Sequence, residues 1–312
     1  MVMMDGDGSI KSVGTSEKSR VPCPVCDGAS FAVMYEPWQR IDDPKALYGA
    51  ASGVQGTQTI VRCTDCGMIY ENPRFPEDVI MTGYMESDES GHDSQRSARV
   101  ASFYNALKAN RNQIPPAGAK VLDVGTAGGA FLEAAQKYGY DAWGMEPSRM
   151  LTESGVGRGL QIKQGTIDNH TFERGTFDMI SLWDVLEHVV DPKACLRECR
   201  NLLKPNGVLL INYPDIGTWQ AKLAGKRFWW ILSVHLHHFD RKSVQEICRR
   251  TGFEVVSQRD YWQTLEFGYL QSIAAHLKVP LAGAIHRVTP EIIRKIPLSY
   301  CASQTTAIAR PA

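Results

Sequence analysis

The sequence has no excess of either charge, with 34 Lys and Arg against 34 Asp and Glu over 312 residues. A protein that grips a polyanion along an extended footprint carries a basic surplus, so a large nucleic-acid surface is not expected. Long apolar runs are also missing. The aromatic stretch Phe228-Trp229-Trp230-Ile231-Leu232 falls far short of the ~20 residues a membrane-spanning helix needs. No apolar leader follows Met1, and the expectation is a cytoplasmic protein with no membrane span. No internal repeat is visible. Residues 1–20 are rich in Gly, Ser, Asp and Lys and poor in large apolar groups, and are expected to form a loose tail.

What is present begins with the cysteines. Four of the eight form two Cys-x-x-Cys pairs, Cys23/Cys26 and Cys63/Cys66. In a reducing compartment that spacing argues for metal rather than disulfides. Four thiolates suit a tetrahedral zinc ion, each pair clasping it from a turn, with Gly28 and Gly67 easing the turns. A closed set of four ligands predicts a structural metal. The intervening residues 27–62 must then fold as a small subdomain. Cys195, Cys199, Cys248 and Cys301 sit in apolar contexts and are expected to be buried hydrophobes.

From residue 119 the patterning changes. Apolar runs at 120–124, 142–145, 177–182 and 207–212 alternate with helical stripes, one of them Phe131, Ala134, Ala135 and Tyr138 closed by Gly139. A helix is expected to start near Pro192, and another at Arg241–Arg250, with Asp240 as its N-cap and Gly252 beyond its end. The last strands are placed at Phe253–Val256 and Thr305–Ala309. Strands that are apolar throughout, alternating with helices, indicate a parallel sheet covered on both faces. The expected division is a tail at 1–20, a metal module at 21–85, a connecting helix within 86–118 and a main domain at 119–312. Residues 216–240 and 263–300 would serve as substrate caps.

The strongest local signal is Asp123-Val124-Gly125-Thr126-Ala127-Gly128-Gly129-Ala130-Phe131. A strand turning sharply into a helix needs residues that tolerate positive φ and let a ligand approach, and the helix start offers free N–H groups. Glu146 follows 23 positions after Asp123 at the end of the next strand, where an acid binds ribose hydroxyls. A nicotinamide-type G-x-G-x-x-G would need glycine at 125, 127 and 130. Ala127 and Ala130 argue against it.

The segment resembles the first motif of class I S-adenosylmethionine-dependent methyltransferases, (D/E)-x-G-x-G-x-G, with Ala127 in place of the middle glycine. Phe177–Pro192 and Leu203–Val208 resemble the same family's fourth-strand and fifth-strand motifs, so the likeness spans about residues 119–256. It implies a Rossmann-like α/β fold, a seven-stranded mostly parallel sheet with helices on both faces, preceded here by a small zinc-ribbon-like module. It also implies a cofactor site built from Asp123, Gly125, Thr126, Gly129, Phe131, Glu146, Pro147, Thr166, Ile167, Leu182 and Trp183. Trp183 would face the sulfonium or simply pack. Glu187-His188 reads either as an acid–base pair or as a network that positions the loop.

The cysteine module together with Val234-His235-Leu236-His237-His238-Phe239 is similar to methyltransferases of glycan and deoxysugar pathways. That likeness implies a small-molecule, possibly sugar-linked, acceptor methylated at a hydroxyl or carbon, with His235 as base. In some relatives a Glu precedes this histidine; here it is Val234, so an orienting acid would have to come from elsewhere. Three histidines in four positions also suggest a metal, but no carboxylate neighbours them in sequence. Tyr213, Trp219, Phe228, Trp229 and Trp230 would line the mouth, and His237 and His238 would be surface or packing residues. Two other readings stay open: an RNA or protein methyltransferase that docks through the zinc module, and an inactive cofactor-binding interaction protein.

Overall fold

The computed structural model describes residues 17–41, 43–48, 53–85, 95–276 and 281–312. Most of the expected tail and residues 86–94 of the connecting segment lie outside them. The N-terminal part carries strand β1 (Phe31–Tyr35), helix α1 (Pro44–Tyr48), strands β2 (Ile60–Cys63) and β3 (Ile69–Glu71), and helix α2 (Glu77–Met85). Ser19, inside the expected tail, exchanges both backbone hydrogen bonds with Arg74. Helix α3 (Arg96–Ala109) leads into the large domain.

That domain alternates strand and helix: β4 (Lys120–Val124), α4 (Ala130–Tyr138), β5 (Asp141–Glu146), α5 (Arg149–Gly157), β6 (Gln161–Gln164), β7 (Phe177–Trp183), α6 (Pro192–Leu202) and β8 (Leu203–Pro214). After α7 (Trp219–Ala224) and the short strand β9 (His237–His238) come α8 (Arg241–Arg250) and β10 (Phe253–Glu266). Helices α9 (Phe267–His276), α10 (Ala282–Val288) and α11 (Glu291–Arg294) precede the final strand β11 (Pro297–Pro311). The seven-stranded sheet runs β10-β11-β8-β7-β4-β5-β6. Its β6, β5, β4, β7 and β8 pair in parallel, and β11 is antiparallel to both neighbours. The strand order reverses between β4 and β7, which opens a crevice at their carboxyl ends.

Side-chain alternation along these strands supplies both layers of the core. Val121, Met179, Val208 and Leu210 face α3 and α4, meeting Leu107, Phe131, Leu132 and Ala135. Leu122, Ile180, Leu209 and Ile211 face the other way, meeting Cys195, Leu196 and Cys199 of α6 and Val244, Ile247 and Cys248 of α8. Three of the cysteines outside the pairs are thus core residues, and Cys301 is half-buried. The cap signals act as the residues suggest. Asp191 accepts from the amides of Lys193 and Ala194 with Pro192 in the first turn of α6. Asp240 and Ser243 form a reciprocal capping box on α8.

Two features depart from the sequence reading. The last strands are much longer than expected, pairing from Phe253↔Pro311 through to Glu266↔Pro297, so both ends of the segment expected as a cap, 263–266 and 297–300, belong to an extended hairpin, with α9, α10 and α11 between them. Its polar residues hide it from a core-strand search, because a hairpin that overruns the sheet needs no buried face. Second, the N-terminal module is not a bead on a string. Its sheet runs β1-β2-β3-β9, and the last strand comes from the large domain. Cys23, Val25, Val61, Met68 and Tyr70 share the core of α6 and α8.

Candidate active site

The loop after β4 takes left-handed backbone at Gly125 (φ 67°), Ala127 (φ 48°) and Gly129 (φ 87°). Gly125 is held to β5, its amide and that of Thr126 both donating to the Met145 carbonyl. A Cβ on Gly125 would stand 2.7 Å from Cγ2 of Val185, so the loop lies directly under the segment that follows β7. Ala127, in place of the usual middle glycine, adopts the same left-handed conformation at a steric cost.

Glu146 ends β5 fully buried. Its Oε2 accepts from the Ala127 amide at 2.9 Å and its Oε1 from the Ser148 amide at 2.9 Å and the Tyr84 hydroxyl at 3.5 Å. Tyr84 belongs to α2, so the N-terminal module reaches the nucleotide end of the crevice. Asp123, also buried, accepts the Ser181 hydroxyl at 2.6 Å. Burial pushes its carboxyl up to about 7, and the Glu146 charge adds to the rise against the Ser181 hydrogen bond.

The other expected cofactor residues gather at the same ends of adjacent strands. Pro147 follows β5, Thr166 and Ile167 follow β6, and Leu182 and Trp183 close β7. Phe131 and Leu182 are core side chains. Trp183 packs among Phe103, Phe131 and Tyr261 with centroids at 4.9, 5.6 and 5.3 Å. Its indole Nε1 is buried with no hydrogen-bond partner among the described residues.

The acceptor side is built around His235. Its Nδ1 lies 2.8 Å from the Trp230 carbonyl, and Nδ1 of His188 lies 3.0 Å from the Val234 carbonyl. A carbonyl only accepts, so both rings carry a proton on Nδ1. The two rings meet edge to face at 4.8 Å. Glu187 joins them: a carboxylate oxygen of Glu187 and a ring nitrogen of each histidine lie within 4.8 Å of one another. Both Glu187 oxygens are buried without a hydrogen-bond partner among the described residues. Burial, reinforced by the Asp184 charge, raises this carboxyl well above its usual range and favours its neutral acid form. Burial, with His188 and His238 nearby, holds His235 well below the usual imidazole range. An acid thus stands beside His235 from a loop 48 positions upstream, in contact range but without a hydrogen bond to the ring. Nothing in the linear sequence could join them.

The aromatic residues expected at the mouth divide. Tyr213 and Phe228 are fully buried. Trp229 and Trp230 donate their indole N–H to the Ala302 carbonyl at 3.2 and 2.5 Å, which leaves Trp219 as the exposed one. His237 and His238 are buried packing residues in β9.

In the N-terminal module, Sγ of Cys23 lies 3.5 Å from that of Cys66, and Sγ of Cys26 lies 3.5 Å from that of Cys63. All four thiols fall within 4.8 Å of one another, and none is in a disulfide. The set could hold a metal ion.

A switch-point crevice with a glycine-rich first turn and a buried acid on the next strand defines a nucleotide-cofactor enzyme of Rossmann-like fold. Residues 92–258, more than half of the chain, match the family model described as a methyltransferase domain. The chain belongs to this family, the class I S-adenosylmethionine-dependent methyltransferases. Among curated proteins it is 35% identical over 108 residues to the ubiquinone biosynthesis O-methyltransferase of Xanthomonas axonopodis pv. citri, covering 32% of this chain and 45% of the relative. It is 37% identical over 146 residues to the same-named protein of Haemophilus ducreyi, covering 42% of this chain and 62% of that one. The chain therefore spans 45% and 62% of their lengths, less than two thirds of either. Among solved structures, the complex of the Haloferax volcanii Trm112 methyltransferase activator with a methyltransferase contains a chain of the same fold. The TM-score is 0.51 at 16% identity, over 71% of this chain and 94% of that one. No described helix is long and apolar enough to cross a membrane.

Proposed function

We propose that this chain transfers a methyl group from S-adenosylmethionine to a hydroxyl oxygen of a small-molecule acceptor, with His235 as the base. The observation that carries the reading is the tautomer of His235. Its Nδ1–H is committed to the Trp230 carbonyl, so its Nε2 lone pair is available, and burial keeps the ring unprotonated near neutral pH. The relatives named O-methyltransferases support a hydroxyl acceptor. No relative among them supports a sugar, so the acceptor is put as a hydroxyl without that requirement.

The cofactor residues would act through shape and charge. Gly125, Thr126 and Gly129 present the loop backbone to the methionyl part. Glu146 offers its carboxylate to the ribose hydroxyls, displacing the Tyr84 hydroxyl. Pro147, Thr166 and Ile167 border the adenine. Phe131, Leu182 and Trp183 wall the sulfonium end, and Asp123 braces the loop. Bound S-adenosylmethionine supplies an electrophilic methyl. His235 Nε2 takes the hydroxyl proton as the oxygen–carbon bond forms and the sulfur–carbon bond breaks, leaving a neutral thioether. The Trp230 carbonyl orients the ring, and His188 packs against its edge. Proton removal of this kind adds ~10²–10⁴-fold in rate.

For the four thiols the fitting metal is zinc. Tetrahedral Zn–S bonds of ~2.3 Å set sulfurs roughly 3.8 Å apart, close to the 3.5 Å pairs found. Cys23, Cys26, Cys63 and Cys66 would fill its coordination, giving a structural ion.

The test uses methyl-labelled S-adenosylmethionine with a panel of catechols, sugar nucleotides and RNA. Label on a small hydroxyl compound, lost in His235→Ala while S-adenosylhomocysteine still binds, is expected. Label on RNA, or full turnover in the variant, overturns the reading.

A further inference from the structure

The hydrogen bonds around His235 come mostly from the N-terminal module. The carboxamide Nε2 of Gln58 donates to the carbonyls of Ser233 at 2.8 Å and His235 at 3.4 Å, and to Oε2 of Glu71 at 3.2 Å. Glu71 is fully buried, is held by Lys18 at 2.9 Å, and donates its own amide to the Leu236 carbonyl at 2.9 Å. Ser233 exchanges backbone and side-chain bonds with Val54 and donates its hydroxyl to the Leu47 carbonyl at 2.5 Å. Gln55 donates to the Phe228 carbonyl at 2.9 Å. The carbonyls of Phe228, Ser233, His235 and Leu236, and the Ser233 side chain, are thus tied to residues 47–71, a stretch far away in sequence. From the large domain the ties to this segment come from Glu187, whose carbonyl receives the amides of Leu236 and His237, from His188 at the Val234 carbonyl, and from Ala302, whose carbonyl accepts the indole N–H groups of Trp229 and Trp230.

The same stretch carries half of the cysteine cluster. Strand β2 runs from just after Gln58 to Cys63, the chain turns through Cys66, and β3 returns to Glu71, with Ile60 opposite Glu71. This hairpin has Cys63 and Cys66 at its turn and Glu71, opposite Ile60, at its open end, about 10 Å from Cys63 at ~3.3 Å per residue, with Gln58 two positions before the strand. It forms the centre of the sheet β1-β2-β3-β9, and β9 follows directly on His235 and Leu236. The thiol turn, the Gln58/Glu71 end and the His235 segment are thus joined through one small sheet.

We propose that the cysteine module is the positioning element of the His235 loop, with Gln58 as the positioning residue, so that closure of the four-thiol cluster by a metal governs where His235 stands. This assigns the module to the acceptor chemistry of its own chain instead of to docking a macromolecule. It rests on the reading of His235 as base, yet it concerns placement, and it is tested without an acceptor.

The experiment uses the full chain labelled with ¹⁵N-histidine and saturated with S-adenosylhomocysteine. The hydrogen bond to Trp230 gives His235 a slowly exchanging Nδ1–H signal, assigned by its absence in His235→Asn. In Gln58→Met this signal is expected to exchange at least tenfold faster. The affinity for S-adenosylhomocysteine should change less than twofold, and the metal content should be unaltered. Ser233→Ala should show the same effect in smaller measure, and removal of the metal with a chelator should reproduce it in the unmutated chain. An unchanged His235 signal in Gln58→Met or after chelation overturns the proposal. Loss of cofactor affinity in step with the signal also overturns it, because the module would then support the whole fold. A normal signal response together with full activity of His235→Ala would reject the base and leave the positioning role standing.

Discussion

The carboxylate of Glu146 and the amide of Ala127 are joined at 2.9 Å across 19 positions of sequence. The end of one strand thereby holds the loop leaving the next in a left-handed conformation. This bond fixes both halves of the cofactor site relative to each other before any ligand arrives, and such preorganisation reduces what binding must later order.

Glu146→Gln is expected to keep one acceptor oxygen for this loop yet weaken ribose contact, lowering S-adenosylhomocysteine affinity about tenfold. Glu146→Ala removes both and should lower it ~100-fold or more. Isothermal calorimetry checks the order of the two. Equal affinity in the alanine variant would mean that the acid serves the loop alone.

Gly125→Ala places a Cβ against Val185 at a φ of 67°. Strain of this kind costs roughly 1–3 kcal/mol, so the midpoint of urea unfolding should fall. Because the clash also pushes on the segment carrying Glu187, turnover should drop more than stability alone explains.

Asp123 titrates near 7 in the folded chain against an ordinary value of 3.8. A carboxyl raised by folding stabilises fully below its unfolded value, and that contribution is lost as pH climbs through about 7. Asp123→Asn, which keeps an acceptor for Ser181, should therefore gain on the parent between pH 4 and pH 8, by on the order of 4 kcal/mol at most. Denaturant unfolding at pH 5 and pH 8 measures the difference. A gap that does not vary with pH would refute the assignment.

His238 has the opposite sign. Burial lowers its ring to about 4, and a base depressed by folding stabilises above its unfolded value of ~6.5, with the contribution lost as pH falls through 4. The melting temperature should decline between pH 6.5 and pH 4, and His238→Gln should flatten that decline, which corresponds to at most ~3 kcal/mol. Strand β9 and its pairing with Tyr70 should loosen first, seen as loss of amide protection there.

Cys63→Ser is expected to abolish metal retention and lower the unfolding temperature of the N-terminal part. Because Cys23 and Cys63 sit in the core shared with α6 and α8, the large domain should soften with it. Colorimetric metal titration and calorimetric melting together test this. Two well-separated transitions, with the second unaltered, would show independent modules.

The linear sequence determined what depends on neighbours along the chain. Apolar strands alternating with helices, the caps at Asp191 and Asp240, the glycine-rich turn after Asp123 and Glu146 at the next strand end are all local patterns. Each follows from backbone geometry within a few residues. The two Cys-x-x-Cys turns are equally local, which is why the four-thiol set could be read before any fold was known. The tertiary structure alone decided relationships between distant segments. It brought Glu187 and His188 beside His235 and laid the Tyr84 hydroxyl on Glu146. It also bound Gln58 and Ser233 together across 175 positions. None of these contacts has a periodicity or spacing to betray it. Each arises because a switch-point sheet gathers strand ends that are far apart in the chain, and because the N-terminal sheet finds its fourth strand in the segment that follows His235.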